Sequence, residues 1–468
     1  MMKRWYLACV ALPVVLNACS FAPEYKRPEA PMASQFKEDG VWRTAAPMDD
    51  QVKGDWWHYF NDTVLSELES KLDKANLQLG IALARHDQAL AIANENNAQL
   101  YPEIDASGNY LTNRQSVNRP LRSSSLNYNV YGNTAIGAGI NYELDLWGRL
   151  RNQAKSSALL EQASRADIEN VRLSQEALLA TIYFELRSYD AQIAIFKDSI
   201  KAYDKEFTII KNRHDEGVVS GLDVARSESL LDQVKGQLQG LLIQRSLFEH
   251  ALAVLIGENP STFTLAPVTS FIANYPKLPT VLPSQVLQRR PDIAAAERKV
   301  AAANAEIGVA KAAFFPTINL LAFGGYQNSG YGNLLSVPNS YWALGPLAFL
   351  PIIDEGRRQS LVDLAEGQNK ELVISYRETV LNAFKEVEDS LASLNHLQLE
   401  LAEQSKATIA AKTSYDIAVN RYLEGANSYL EVIDAENTKL NTQIAETKVK
   451  SAQMLAVVSF VKAIGGAW

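Results

Sequence analysis

The side chains able to do covalent chemistry are few and poorly placed for it. Gly217-Val218-Val219-Ser220-Gly221 sets a serine among glycines, the composition of a nucleophile elbow. The serine, however, is one place late and stands between two helical patterns rather than after a strand. The five histidines, His58, His86, His214, His250 and His396, are scattered without metal-ligand spacing. Three methionines lie outside the N-terminal leader described below, too few for a soft-metal relay. The expectation is therefore not an enzyme: no catalytic residue, no metal set and no cofactor.

What the same stretch does contain is a duplication. Residues 212–224 and 420–432 share seven of thirteen positions at an offset of 208: Asn212/Asn420, Arg213/Arg421, Glu216/Glu424, Gly217/Gly425, Ser220/Ser428, Leu222/Leu430 and Val224/Val432. In each copy a helical pattern runs into Glu-Gly, passes a short turn containing serine, and restarts at Leu-acid-Val. That is the signature of an αα-hairpin. A hairpin tip written twice implies a duplicated chain whose tips share a task.

The remaining reactive group is a thiol. Lys3 and Arg4 precede an apolar run from Trp5 to Leu16, the layout of a secretory leader and too short to span a bilayer. Leu16-Asn17-Ala18-Cys19 then resembles the bacterial lipobox, in which the cysteine is acylated and the chain is cut before it. Cys9 falls in the removed segment 1–18, so Cys19 has no intrachain disulfide partner. A plain signal peptide with an incidental cysteine is the alternative. Ser20 rather than aspartate after Cys19 implies, by likeness to bacterial lipoproteins, transfer to the outer membrane. One lipid holds modestly, so a second membrane contact is expected. The charge balance, 45 basic against 53 acidic residues, argues against a nucleic-acid surface.

The elements that must carry the tips follow in order. Residues 19–63 read as a lipidated, proline-broken arm, with Asp55-Trp56-Trp57-His58-Tyr59-Phe60 as the anchor that docks it. Repeat 1 covers 64–257: a helix from Val64 to about Leu100, a β-hairpin within 103–147, a long helix over 149–216 and a return helix over 222–256. A proline-rich linker over 258–283 leads to repeat 2, 284–465, with a helix, a hairpin within 317–353, a long helix over 357–424 and a return helix over 430–464. After Pro102 and Pro316 the apolar period changes from about 3.6 to 2. Ile136, Ala138, Ile140, Tyr142, Leu144 and Leu146 share one face, and Trp342, Leu344, Ala348, Leu350 and Ile352 another.

Strands of this length, with aromatics near their ends, suit a transmembrane sheet; a soluble half-buried sheet is the alternative, and the lipidation signal tips the choice. Four strands cannot close a barrel, so spanning strands force several chains to pool them. From Gly148 to Gly217 and from Gly356 to Gly425 there are 69 positions without proline. At about 1.5 Å per residue each would be a helix of roughly 100 Å, which needs partners along its whole course.

With these parts in hand the chain resembles the outer-membrane factor family, the TolC-like ducts, and within it the lipoprotein, NodT-type branch that serves tripartite systems of the RND type. The likeness runs from Cys19 to Trp468 and rests on residues 19–28, Arg289-Arg290-Pro291-Asp292-Ile293, Ala312-Ala313-Phe314-Phe315-Pro316 and the stretch from Arg421 to Ala435. It implies an α+β membrane protein: a homotrimer whose twelve-stranded β-barrel continues into a long periplasmic α-helical barrel, two structural repeats per chain. It also implies a periplasmic adaptor and an RND inner-membrane pump as partners, outer-membrane lipid around the barrel, and no nucleic acid.

Gly217, Ser220, Leu222, Val224, Gly425, Ser428 and Val432 would be the adaptor-docking tips. Tyr422, Leu430 and Asp434 would form the constriction, and the offset sets Arg226 opposite Asp434 as a latching ion pair. An ordinary surface pair is the alternative. Two other functions stay open at this stage: a duct for protein or surface-polymer export, and a coiled-coil tether, which the period-2 hairpins oppose. The lipid anchor carries its own test. Intact mass of the membrane-extracted protein should show palmitate-type acyl chains, and a Cys19→Ser form still carrying them would remove the anchor.

Overall fold

The structure is a computed structural model and describes residues 20–29, 36–37, 55–114, 116, 130–271, 286, 289–330 and 332–466. Cys19, and with it the lipidation site, lies outside the described residues. In chain order the elements are α1 (Thr63–Ala75), α2 (Leu77–Ala98), β1 (Glu103–Arg114), β2 (Val130–Glu143), α3 (Arg149–Asp215), α4 (Gly221–Leu255), α5 (Pro291–Ala312), β3 (Thr317–Asn328), β4 (Ser340–Phe349), α6 (Arg357–Leu423) and α7 (Tyr429–Ala463). The long helices have 67 residues each and the return helices 35 each, so this part of the two repeats matches in length. The chain divides into two compact units, and each takes part of both repeats.

The first unit gathers described residues from 1–28, 86–164 and 295–376 and contains the strands. They form one antiparallel sheet in the order β1-β2-β3-β4, the two hairpins joining through β2 and β3. Register lines Ile104, Ile140, Ala322 and Leu344 in one row, and Ala106, Ala138, Gly324 and Trp342 in the next, so one apolar face crosses all four strands. The other face of the first hairpin is small and polar. Where β2 meets β3, a Cβ on Gly325 would stand 2.6 Å from Gly137 Cα, a backbone clash that reserves that place for glycine. Trp342 is 80 % and Leu344 75 % exposed, an apolar surface that the chain itself leaves uncovered.

The strand ends differ from the sequence pattern in one place. Leu144 and Leu146 continue the period but lie beyond β2, which stops at Glu143. The cause is Asp145, whose carboxylate accepts from the Leu150 and Arg151 amides and so opens α3 instead of prolonging the pleat. On the same unit the arm residues Ser20 to Pro28 are seated: Phe21 stacks on Phe315 at 4.4 Å, Asn304 Nδ2 donates to the Pro23 carbonyl at 2.8 Å, and Arg27 pairs with Glu297 at 3.1 Å.

The second unit, drawn from 29–85, 165–294 and 377–468, is helical. Trp56, Trp57 and Phe60 are 2–3 % exposed in a core with Leu65, Leu179, Leu252 and Val458, while Tyr59 of the same run is 42 % exposed. Here too one expectation changes: the helix read from Val64 to about Leu100 is broken at Asn76. Asn76 is extended, its Oδ1 accepts from the Leu79 amide at 2.9 Å, and its Nδ2 donates to the Leu255 carbonyl at 2.9 Å. The side chain thus starts a new helix and ties it to the end of α4. In repeat 2 the Arg-Pro-Asp motif does the equivalent work. Arg290 forks onto Asp292 and donates to the Ala463 carbonyl at 3.0 Å, fixing the start of α5 on the end of α7.

Candidate functional site

The two tips are built by one local recipe. Gly217 and Gly425 have φ of +79° and +76°, a conformation closed to most side chains. Each ends its long helix in a Schellman turn: the Val218 amide donates to the Arg213 carbonyl and the Ala426 amide to the Arg421 carbonyl, both at 2.8 Å. Ser220 and Ser428 then take extended N-cap positions before α4 and α7.

Within that recipe the copies diverge. Ser220 Oγ bonds to Asp223, and His214 Nδ1 lies 2.9 Å from the Val219 carbonyl, so the first turn is closed by its own side chains. Ser428 makes no capping bond, and Tyr422 stands where the first copy has His214. Tyr422 instead reaches across the repeats to Arg213, whose guanidinium lies 5.1 Å from its ring centroid, and it packs 5.5 Å from the Tyr429 ring of its own repeat. Ile210, Ala418, Tyr429, Val432 and Ala435 form the core of the contact, with Val219 and Val224 packed against it. The tips are therefore one body, joined by an apolar seam.

This packing sorts the expected residues. Val432 is 2 % exposed and Val224 half-buried; both hold the seam rather than face outward. Gly217, Ser220, Leu222, Gly425 and Ser428 are exposed, and with them Val218 and Leu423, at 59 % and 60 %, which sequence reasoning missed. Their signal was available: apolar side chains at a turn with nothing of their own chain to cover them. Leu430, 52 % exposed, and Asp434, also exposed, are four apart on α7 and share its outward face, with Tyr422 half-buried nearby. Arg226 is exposed as well, and among the described residues no ion pair joins it to Asp434. The latching pair expected from the offset is thus not formed within one chain.

Burial pushes the Tyr429 phenol up to about 12, and its hydroxyl donates to Ser227 Oγ at 3.1 Å. The Tyr422 phenol is also raised by burial, but its hydroxyl is buried without a partner. No group of three or more His, Cys, Asp or Glu among the described residues is placed to hold a metal ion. Nor is any helix among them long and apolar enough to cross a membrane. What the arrangement can do is present an apolar, glycine-turned end with an exposed carboxylate, Asp434, beside it.

Against known proteins, a family model described as outer membrane efflux protein matches residues 68–258 and 282–466. The toluene efflux pump outer membrane protein TtgC of Pseudomonas putida is 30 % identical over 477 residues, covering 100 % of this chain and 96 % of that one. The cation efflux system protein CusC of Escherichia coli is 30 % identical over 475 residues, 98 % of each. A solved structure described as the open state of the MtrE outer membrane channel of Neisseria gonorrhoeae superposes with a TM-score of 0.83 at 27 % identity, covering 96 % of this chain and 98 % of that one.

The two tyrosines of the seam should respond oppositely to loss of a hydroxyl. Tyr429→Phe removes a buried bond and should destabilise the tip by about 1 kcal/mol, whereas Tyr422→Phe should be neutral or stabilising. Hydrogen exchange of the tip amides measures both; equal losses would mean that the hydroxyl bond contributes nothing.

Proposed function

The chain belongs to the outer membrane efflux protein family, and from that premise we propose how its parts divide the work. It is the outer-membrane channel of a tripartite efflux system, a transport protein with its helices in the periplasm. The observation that carries the division is the apolar face that crosses four strands and ends in two unpaired edges. Hydrocarbon does not tolerate an open edge, which supports a homotrimer that closes a twelve-stranded barrel. Phe21, two residues after Cys19, is clamped against Phe315 and Trp147 beside the start of β3. That seat supports acyl chains on Cys19 entering the membrane at the base of the strands, as a second hold on the bilayer.

The exposed rim of the tips, Val218, Leu222, Leu423 and the two serines, suits the apolar and backbone contacts of a periplasmic adaptor protein, itself joined to an RND inner-membrane pump. TtgC and CusC carry names for toluene and cation systems, yet this chain is equally similar to both. That supports a generic duct, with cargo chosen by the pump. On the three-fold axis of a trimer, Leu430 and Asp434 of each copy converge into the constriction. Three carboxylates there favour cations and repel one another. Arg226 of an adjacent copy is then the available counter-charge, since the chain's own Arg226 is not paired with Asp434.

Two measurements test these assignments. Asp434→Ala should raise single-channel conductance in planar bilayers, and an unchanged conductance would take Asp434 out of the gate. A photo-crosslinker at Ser220 or Ser428 should capture the co-expressed adaptor; capture only from the loops between the strands would count against docking at the tips.

A further inference from the structure

Behind the tip the repeats meet at two carboxyl groups. Glu206 of α3 and Glu436 of α7 hydrogen-bond to each other, and Glu436 is 3 % exposed. Such a bond needs a proton, because two buried carboxylates offer only acceptors. The surroundings keep the pair together without discharging it. The Tyr415 hydroxyl of α6 donates to Glu206 Oε1 at 2.7 Å. Lys439 of α7 sits with its Nζ 3.8 Å from the Tyr415 ring centroid, and its charge partly opposes the neighbours' effect on Glu436.

The other facing groups are weak or turned away. The Tyr203 hydroxyl of α3 is buried without a partner, and the Tyr429 hydroxyl is committed to Ser227 of α4. Asp198 is paired with Lys201 at 2.9 Å, and Lys205 is exposed. The second oxygens of Glu206 and Glu436 have no hydrogen-bond partner. Two cavities flank the pair: one of about 220 Å³ that Glu436 lines, and one of about 330 Å³ that Glu206 shares with Tyr422. The second cavity joins Glu206 to Tyr422 at the tip.

We propose that Glu206 and Glu436 form a proton-held latch that clamps the first hairpin of the tip onto the second. The part concerning conductance rests on the gate reading above. With the proton shared, α3 stays on α7 and the constriction at Leu430 and Asp434 stays narrow. When it leaves, two like charges in contact drive the helices apart and the tip loosens. The latch is not duplicated: the offset of 208 places Ser414 in the position of Glu206 and Glu228, which is exposed, in that of Glu436.

Burial, then the neighbouring Glu206, pushes the Glu436 carboxyl from 4.5 up to about 10. A carboxyl raised by folding stabilises fully below its unfolded value. Its contribution is lost as pH rises from 4.5 to about 10, so alkali opens the latch. Full-length protein in planar bilayers, taken from about pH 6 to about pH 10, should show a conductance that climbs severalfold for the wild type. In Glu436→Gln the amide keeps a donor that cannot dissociate, and conductance should hold its neutral-pH value throughout. The same pH curve for both would overturn the proposal.

Hydrogen exchange of amides 200–215 at about pH 9 reads the clamp without reference to conductance and should be faster in the wild type than in Glu436→Gln. Equal exchange would also overturn the latch. Faster exchange with a conductance that neither pH nor Asp434→Ala moves would keep the latch and overturn the gate reading.

Discussion

Burial of one repeat's apolar side chains against the other is the contact on which the helical unit depends. A helix of 67 residues takes most of its stability from tertiary packing, and α3 and α6 carry no single strong apolar stripe that one partner could cover. The covering is done in stages. Leu179, Tyr183 and Leu186 pack with Leu252, Met454 and Val457; Phe196 and Tyr203 pack with Leu230, Val234 and Leu440; Ile210 packs with Ala418, Tyr429 and Val432. Each of these three clusters draws on both halves of the duplication.

Polar groups are admitted to that core only with compensation, and the manner varies with position. At the linker, Asp190 is fully buried but held by Arg187 at 3.2 Å and Arg245 at 2.7 Å, while Arg245 also donates to the Leu265 carbonyl. Beside Trp56 the balance is struck by protonation. The indole donates to Glu176 at 3.0 Å, yet burial still raises that carboxyl to about 7, and Glu69 next to it is pushed well above its ordinary value. Arginine pairing and retained protons are two answers to one cost, that of bringing a charge out of water.

The parts legible in sequence were those written in backbone terms. Pro102 and Pro316 separate a helical period from an alternating one, and a glycine at φ near +80° leaves a mark in any copy that repeats it, as Gly217 and Gly425 do. Side chains that compete with the backbone were not legible. Asn76 and Asp145 each capture helix amides and so end an element whose apolar pattern continues past them. The tip seam was half legible: exposure of Leu430 and Asp434 follows from their spacing, but the inward turn of Val432 depends on Tyr429 beside it. Glu206 and Glu436 lie 230 residues apart, outside the repeat offset, so nothing in the duplication pointed to their meeting.

The sheet is a plain meander, β1-β2-β3-β4, and its two free edges are unlike one another. In a barrel whose copies all point the same way, a copy that joins β4 offers its own β1, and the contact is then head-to-tail rather than two-fold. Such a contact is satisfied only when the ring returns to its first member. Until the ring of the proposed trimer closes, a row of bare amides and carbonyls is left at each end. In hydrocarbon those rows are intolerable, so for the proposed trimer membrane entry would be an event of the completed ring.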